Sequence, residues 1–295
     1  MNAHPGEGTK VRTTVFTTLA LIAFAANSLL CRLALRDAAI DPASFSTVRL
    51  IAGASMLWLI AVLSGRRRPV RSRSGWTSAL MLFLYAVAFS YAYISLSVGT
   101  GALILFGAVQ GTMILAGIRA GEHPHPVQWG GLAAALAGLV YLVSPGLTAP
   151  SPAGSALMAA AGIAWGVYSL RGRGAGDPVA KTADNFVRSI PFTLVLSLLL
   201  IRDVHITPTG FLLALVSGGA TSGVGYILWY GALQGLTRTG AASVQMAVPV
   251  IAAFAAALFL GEEVTFRLVA ASAAILGGIA LAVRSGERLA SAPKP

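Results

Sequence analysis

Ten stretches of mostly apolar residues follow one another along this chain, each about as long as the ~20 residues a helix needs to cross a bilayer. They are Val11–Leu35, Ala43–Ser64, Trp76–Ser97, Gly101–Ile118, Val127–Ser144, Ala153–Leu170, Thr182–Ile201, Gly210–Leu233, Thr239–Leu260 and Thr265–Val283, each bounded by Gly, Pro or charge. No soluble core hides so much apolar surface: 56% of the 295 residues are hydrophobic and 11% charged, where soluble domains carry about a quarter as charges. The runs are apolar on nearly every side, unlike the short alternating segments of a β-barrel. The expected fold class is therefore an all-α integral membrane protein with about ten transmembrane helices.

A formal net charge of +11 invites a nucleic-acid reading, but such binders gather Lys and Arg on one face beside ordinary polar surface. Here the basic residues sit between apolar blocks, so no nucleic-acid partner is expected; the lipid bilayer is the partner. Lys10, Arg12, the Arg66–Arg73 run, Arg119, Arg171, Arg173, Lys181, Arg238, Arg284, Arg288 and Lys294 fall on one side. Only Arg36, Arg202 and Arg267 fall in the opposite loops. Because Lys and Arg are retained on the cytoplasmic side, both termini are expected there, in a multi-pass protein of the inner membrane. The first apolar run is too long for a signal-peptide core and lacks a small-residue cleavage site, so it reads as the first span. Cys31 is the sole cysteine; flanked by apolar residues, it reads as packing.

The chain repeats itself. Phe106, Gly121-Glu122 and Ala137-Gly138-Leu139 return, at one constant offset, as Met246, Gly261-Glu262 and Gly277-Gly278-Ile279. Near that offset Val48-Arg49 returns as Val187-Arg188. Each copy holds five spans, and an odd number turns the second copy over in the bilayer. Two inverted five-helix repeats are thus expected: a tail over 1–10, a first repeat over 11–144, a linker over 145–152, a second repeat over 153–283 and a tail over 284–295. Such repeats give transporters alternating access to a site near the midplane.

Each half closes with a span, a Gly-Glu loop and a Gly-rich final span. The run Ala241-Ala242-Ser243-Val244-Gln245-Met246-Ala247-Val248-Pro249-Val250 leads to Leu258-Phe259-Leu260-Gly261-Glu262, and Trp165-Gly166 stands in the sixth span. In these features the chain resembles the drug/metabolite transporter superfamily, EamA type. The first half departs from that pattern, with Gln110-Gly111 where Pro is common and Ala25-Ala26-Asn27 where Trp-Gly is common. Within the superfamily the aromatic-rich spans look most like YddG-type exporters. The resemblance implies a secondary transporter that moves small amphipathic metabolites, amino acids and related compounds, out of the cell.

A solute path needs side chains that accept both water and apolar groups. Tyr85 and Phe89 share a face of the third span with Tyr93, at four-residue spacing. Tyr226 and Trp229 group with Tyr230 in the eighth, and Phe89 pairs with Trp229 at the repeat offset. Phe106 and Gln110 in the fourth span, Gln245 and Met246 in the ninth, Trp165 and Tyr168 in the sixth and Asn27 in the first complete the candidate substrate-binding set. Packing or an interfacial belt accounts equally for an aromatic stripe, and bonding across helices accounts for the amides. Arg49 and Arg188 lie about two turns inside their spans; snorkelling or capping of helix carbonyls is favoured for them over binding an anion. Gly218, Gly219 and Gly223, in a stretch of low helix propensity, read as a hinge or as close packing.

None of the ten acidic residues is expected deep in a span, and Asp184 lies near a span end. A proton-coupled pump generally keeps an embedded carboxylate, so facilitated diffusion without one is expected. No catalytic residue, metal or cofactor is indicated. His123 and His125 flank a proline in a loop without further donors, and the Gly172–Gly176 stretch lacks the strand and lysine of a phosphate loop. A sugar-phosphate or nucleotide-sugar carrier of the same superfamily remains an alternative, a membrane-embedded enzyme a weaker one. The partner is a small-molecule substrate; the sequence does not fix the oligomeric state, a monomer being one reading.

Overall fold

The structure, a computed structural model, describes residues 7–63, 75–121, 125–146, 149–172, 178–233, 235–236 and 244–290, the side chains from 11 to 281 among them. Ten helices carry the fold among these residues: α1 Glu7–Arg36, α2 Pro42–Leu63, α3 Gly75–Ala92, α4 Val98–Arg119, α5 Pro126–Val143, α6 Pro152–Gly172 and α7 Pro178–Leu199 come first. The continuous α8 Pro208–Leu233, then α9 Ala247–Leu260 and α10 Phe266–Ala290, complete them. An isolated bridge between Ile40 and Ile206 is the extended pairing present. Among the described residues, seven helices are long and apolar enough to cross a membrane.

The outer surface, unlike that of a soluble protein, is apolar. Trp58, Leu63, Leu136, Phe254, Phe259 and Phe266 stand exposed on the outer faces, as suits helices whose solvent is hydrocarbon. The centre holds Ser46, Ser90, Asn27, Arg49 and Ser217 beside Phe45, Leu50, Leu57 and Leu103. With lipid outside, packing and hydrogen bonds rather than water exclusion draw the helices together. Ser46 Oγ accordingly donates to Ser90 Oγ at 2.9 Å, joining α2 to α3.

Local chemistry sets several ends. Asp41 Oδ1 accepts from the Ser44 amide at 2.8 Å at the start of α2, and Thr207 accepts from Gly210 with Pro208 in the first turn of α8. His125 caps α5 in a reciprocal box with Gln128; His123 lies outside the described residues. One span differs from expectation. Helix α3 stops at Ala92, because Tyr93–Ser97 make the turn that lets Ser97 cap α4. Helix α9 is described over Ala247–Leu260; the expected start of that span at Thr239 lies outside the described residues.

Helix α5 packs on α10, α2 on α7, α4 on α9, α3 on both α6 and α7, α6 on α4, and α1 on α8 and α9, with α2 also against α8. Between α2 and α8 an apolar groove lined by Ile51, Met56, Phe211 and Gly219 opens outward.

Candidate functional site

Midway along the bundle, α1, α3, α4, α6 and α8 enclose a small cavity lined by Phe24, Asn27 and Ser28, Tyr85 and Phe89, Leu105 and Phe106, Trp165, and Thr221, Ser222 and Tyr226. The rings touch in a chain: Phe89 to Tyr85 at 5.4 Å between centroids, Tyr85 to Trp165 at 4.9 Å, Trp165 to Tyr226 at 5.1 Å. Phe24 meets Trp165 edge-on at 6.4 Å and Tyr226 at 6.1 Å. Such pairs are each worth ~0.5–1.5 kcal/mol, so the wall is well ordered. The space left to the centre of a water molecule is about 20 Å³. At roughly 10–15 Å³ per water on that measure, it holds a water and excludes a metabolite, so the site is closed.

One wall is polar. Asn27 Oδ1 accepts from Ser217 Oγ at 2.8 Å and from Thr221 Oγ1 at 3.2 Å, joining α1 to α8 where α8 leaves α-helical geometry. Residues Ser217–Val224 form a π-helix, a rare form that concentrates at functional sites. It contains Gly218, Gly219 and Gly223, where a hinge or close packing was expected. Close packing holds at Gly218, where a Cβ would collide with the Arg49 carbonyl and Ala52. At Gly219 the nearest atom, Met56 Cε, stands 3.5 Å away.

Arg49 lies behind this wall. It is 2% exposed, so the snorkelling expectation fails: α3, α7 and the π-segment of α8 enclose the first half of α2 and leave no route to an interface. Its Nε donates to Ser222 Oγ at 3.2 Å and Nη2 to the Tyr85 hydroxyl at 3.1 Å. The guanidinium also stands 5.1 Å from the Phe89 ring centre and 5.2 Å from that of Tyr85. Its Nη1 and the buried Tyr226 hydroxyl lack any hydrogen-bond partner among the described residues. Arg188, its counterpart in the repeat, pairs instead with Asp184 at 2.8 Å and lies over Trp76.

Of the candidate binding residues, Asn27, Tyr85, Phe89, Phe106, Trp165 and Tyr226 come together on the cavity. Tyr168 packs behind Trp165 at 5.5 Å, and Trp229 behind Phe24 at 5.8 Å. Gln110 is buried outside the wall, and Gln245 and Met246 precede α9. Sequence reasoning missed Phe24, Ser28, Leu105, Thr221 and Ser222. Phe24 stands three residues before Asn27, one helical turn along the same face, and that spacing was the available signal.

At one end of the bundle Arg32 is held within the protein. Its Nε pairs with Glu262 Oε1 at 3.2 Å, and its Nη1 donates to the Tyr93 and Ile94 carbonyls at 2.9 Å. Glu262 Oε2 accepts from the Val98 amide at 2.7 Å. The end of α1, the α3–α4 turn and the α9–α10 turn are thereby strapped together. Gly261, with φ +64°, supplies the left-handed turn that aims Glu262.

Helices apolar toward the outside and gathered round a buried aromatic site define a multi-pass membrane protein of the transporter kind. The chain belongs to the EamA-like transporter family, whose model matches twice, over residues 12–144 and 152–284. It is similar to an uncharacterized protein of Pseudomonas aeruginosa, 51% identical over 271 residues that make up 92% of this chain and 94% of that one. A protein of known crystal structure shares the fold with a TM-score of 0.67 at 21% identity, covering 93% of this chain and 99% of that one.

Proposed function

We propose that the protein is a secondary transporter of small amphipathic metabolites, amino acids and related compounds among them, exporting them by alternating access. The observation that carries this reading is the closed aromatic cavity, whose walls come from helices of both halves. Ten spans in two inverted repeats, 11–144 and 153–283, are part of the proposal. The helix pairings support it: exchanging α1–α5 for α6–α10 turns α3 on α6 into α8 on α1, α4 on α6 into α9 on α1, and α2 on α8 into α7 on α3, all of which occur. The two family matches support the same halves. The charge bias supports an inner-membrane setting with both termini cytoplasmic, and the aromatic lining favours the YddG-type branch.

No carboxylate among the described residues lines the cavity, and the buried Asp184 is already paired with Arg188. Transport in this proposal runs down the solute gradient without a proton-binding carboxylate, and without cofactor or catalysis. One buried guanidinium, rather than a cluster of cations, weighs against sugar phosphates as the main cargo.

Counterflow by the purified protein in liposomes, screened with amino acids, cationic drugs and sugar phosphates, tests the proposal. Exchange of neutral amino acids is expected, undiminished when the pH gradient is collapsed. Competition by sugar phosphates alone would replace the cargo, and no exchange of any class would end the transport reading.

A further inference from the structure

Three basic residues lie within the helical layer, and two of them have carboxylate partners. Arg188 has Asp184 and Arg32 has Glu262. Arg49, the most buried of the three, has no ion-pair partner among the described residues, and one of its terminal nitrogens bonds nothing there. Across the same site the Tyr226 hydroxyl is buried and unbonded as well. Upward of 90% of buried polar groups in proteins find partners, and an uncompensated buried charge is costly. Tyr226 lines the cavity, and Arg49 stands directly behind its wall, bonded to the lining Tyr85 and Ser222; an acidic group entering there would give both unbonded donors a partner.

We propose that Arg49 anchors a carboxylate of the transported solute, with the Tyr226 hydroxyl as second donor, so that the cavity selects amphipathic molecules bearing one carboxylate. This rests on the transport reading and names its substrate class. The chemistry favours a carboxylate by charge count: one guanidinium neutralises one carboxylate, whereas a phosphate dianion brings an unbalanced charge into an aromatic pocket. A carboxylate also matches the planar guanidinium edge. The rest of an amino acid finds its complements in the same walls: Phe24, Phe89 and Phe106 for an apolar side chain, and the faces of Trp165 and Tyr226 for the ammonium group. Arg49 reaches the cavity through groups that line it, Tyr85 and Ser222, and Ser222 lies in the π-segment. Occupancy at Arg49 is thus coupled to the one irregular stretch of α8.

Counterflow competition in liposomes tests the anchor, with phenylalanine, leucine and threonine each set against its own carboxamide, which keeps the shape and the ammonium but loses the anionic charge. In every pair that competes, the acid is expected to be at least ~30-fold more potent than the amide, the scale of removing one side of a buried charged pair. Arg49→Gln abolishes that preference, and Tyr226→Phe weakens the acid ~10-fold, as loss of a hydrogen bond to a charged group predicts. Should Arg49→Gln fail to fold, Tyr226→Phe and the wild-type acid-to-amide ratio decide between them. Amides that compete as well as acids overturn the anchor while leaving transport intact. So does transport of cationic drugs with none of the acids competing. Absence of flux for every class in the wider screen ends the transport reading itself, a different failure from either of these.

Discussion

Arg49 and Arg188 stand at nearby places in the second helix of each half and meet opposite fates, and this contrast separates charges that hold the fold from charges that wait for something. Arg188 neutralises Asp184. Arg188→Met strands a buried carboxylate and is expected to cost about 3–5 kcal/mol, read as a lowered Tm in detergent. Arg49 neutralises nothing described, so Arg49→Met is expected to leave Tm unchanged or raised while flux is lost. A drop in Tm comparable with that of Arg188→Met would make Arg49 a structural residue. At this scale the sequence was partly legible: four-residue spacing picked out Tyr85 and Phe89, and the apolar setting of Asn27 singled it out. The burial of Arg49 was not legible, because snorkelling depends on whether neighbouring helices close the route to the interface, and those neighbours lie far away in the chain.

The π-segment of α8 is where element geometry and site meet. Its composition marked it as weak helix, since Gly, Ser and Thr all have low propensity. The wider winding was not readable, because it arises from partners that α8 meets only in the fold: Asn27 beneath Ser217 and Thr221, and the α2 backbone against Gly218. The two neighbouring glycines are expected to respond differently. Gly218→Ala drives a methyl group into the Arg49 carbonyl and lowers stability by about 1–3 kcal/mol, the usual cost of overpacking. Gly219→Ala meets only the end of Met56 and raises helix propensity by ~1 kcal/mol, so Tm holds or rises while turnover slows if this stretch must flex. Thermal melts alongside counterflow rates check both, and equal turnover in Gly219→Ala and the parent chain would remove the hinge role.

Across the whole molecule, Arg32 and Glu262 bind α1, the α3–α4 turn and the α9–α10 turn together at one end, and in the proposed transporter this strap is expected to be a gate. Glu262→Gln weakens that strap. In a Phe106→Cys background it is expected to increase labelling of the new thiol by a membrane-impermeant maleimide added from that end. The native Cys31 is fully buried and contributes little background. Labelling that is unchanged by Glu262→Gln would show that the gate lies elsewhere. The repeat and the all-helical class were legible at this scale from periodicity and recurrence, and the family only as a resemblance carried by motifs such as Ala241–Val250 and Gly261-Glu262, whereas the closed state was not, because composition carries no information about which gate is shut. The residual volume at the centre bears on the leakage of ions. In the proposed carrier, a waist with room for little more than one water would interrupt any file of water at this site, so the resting form is expected to hold an ion gradient in liposomes.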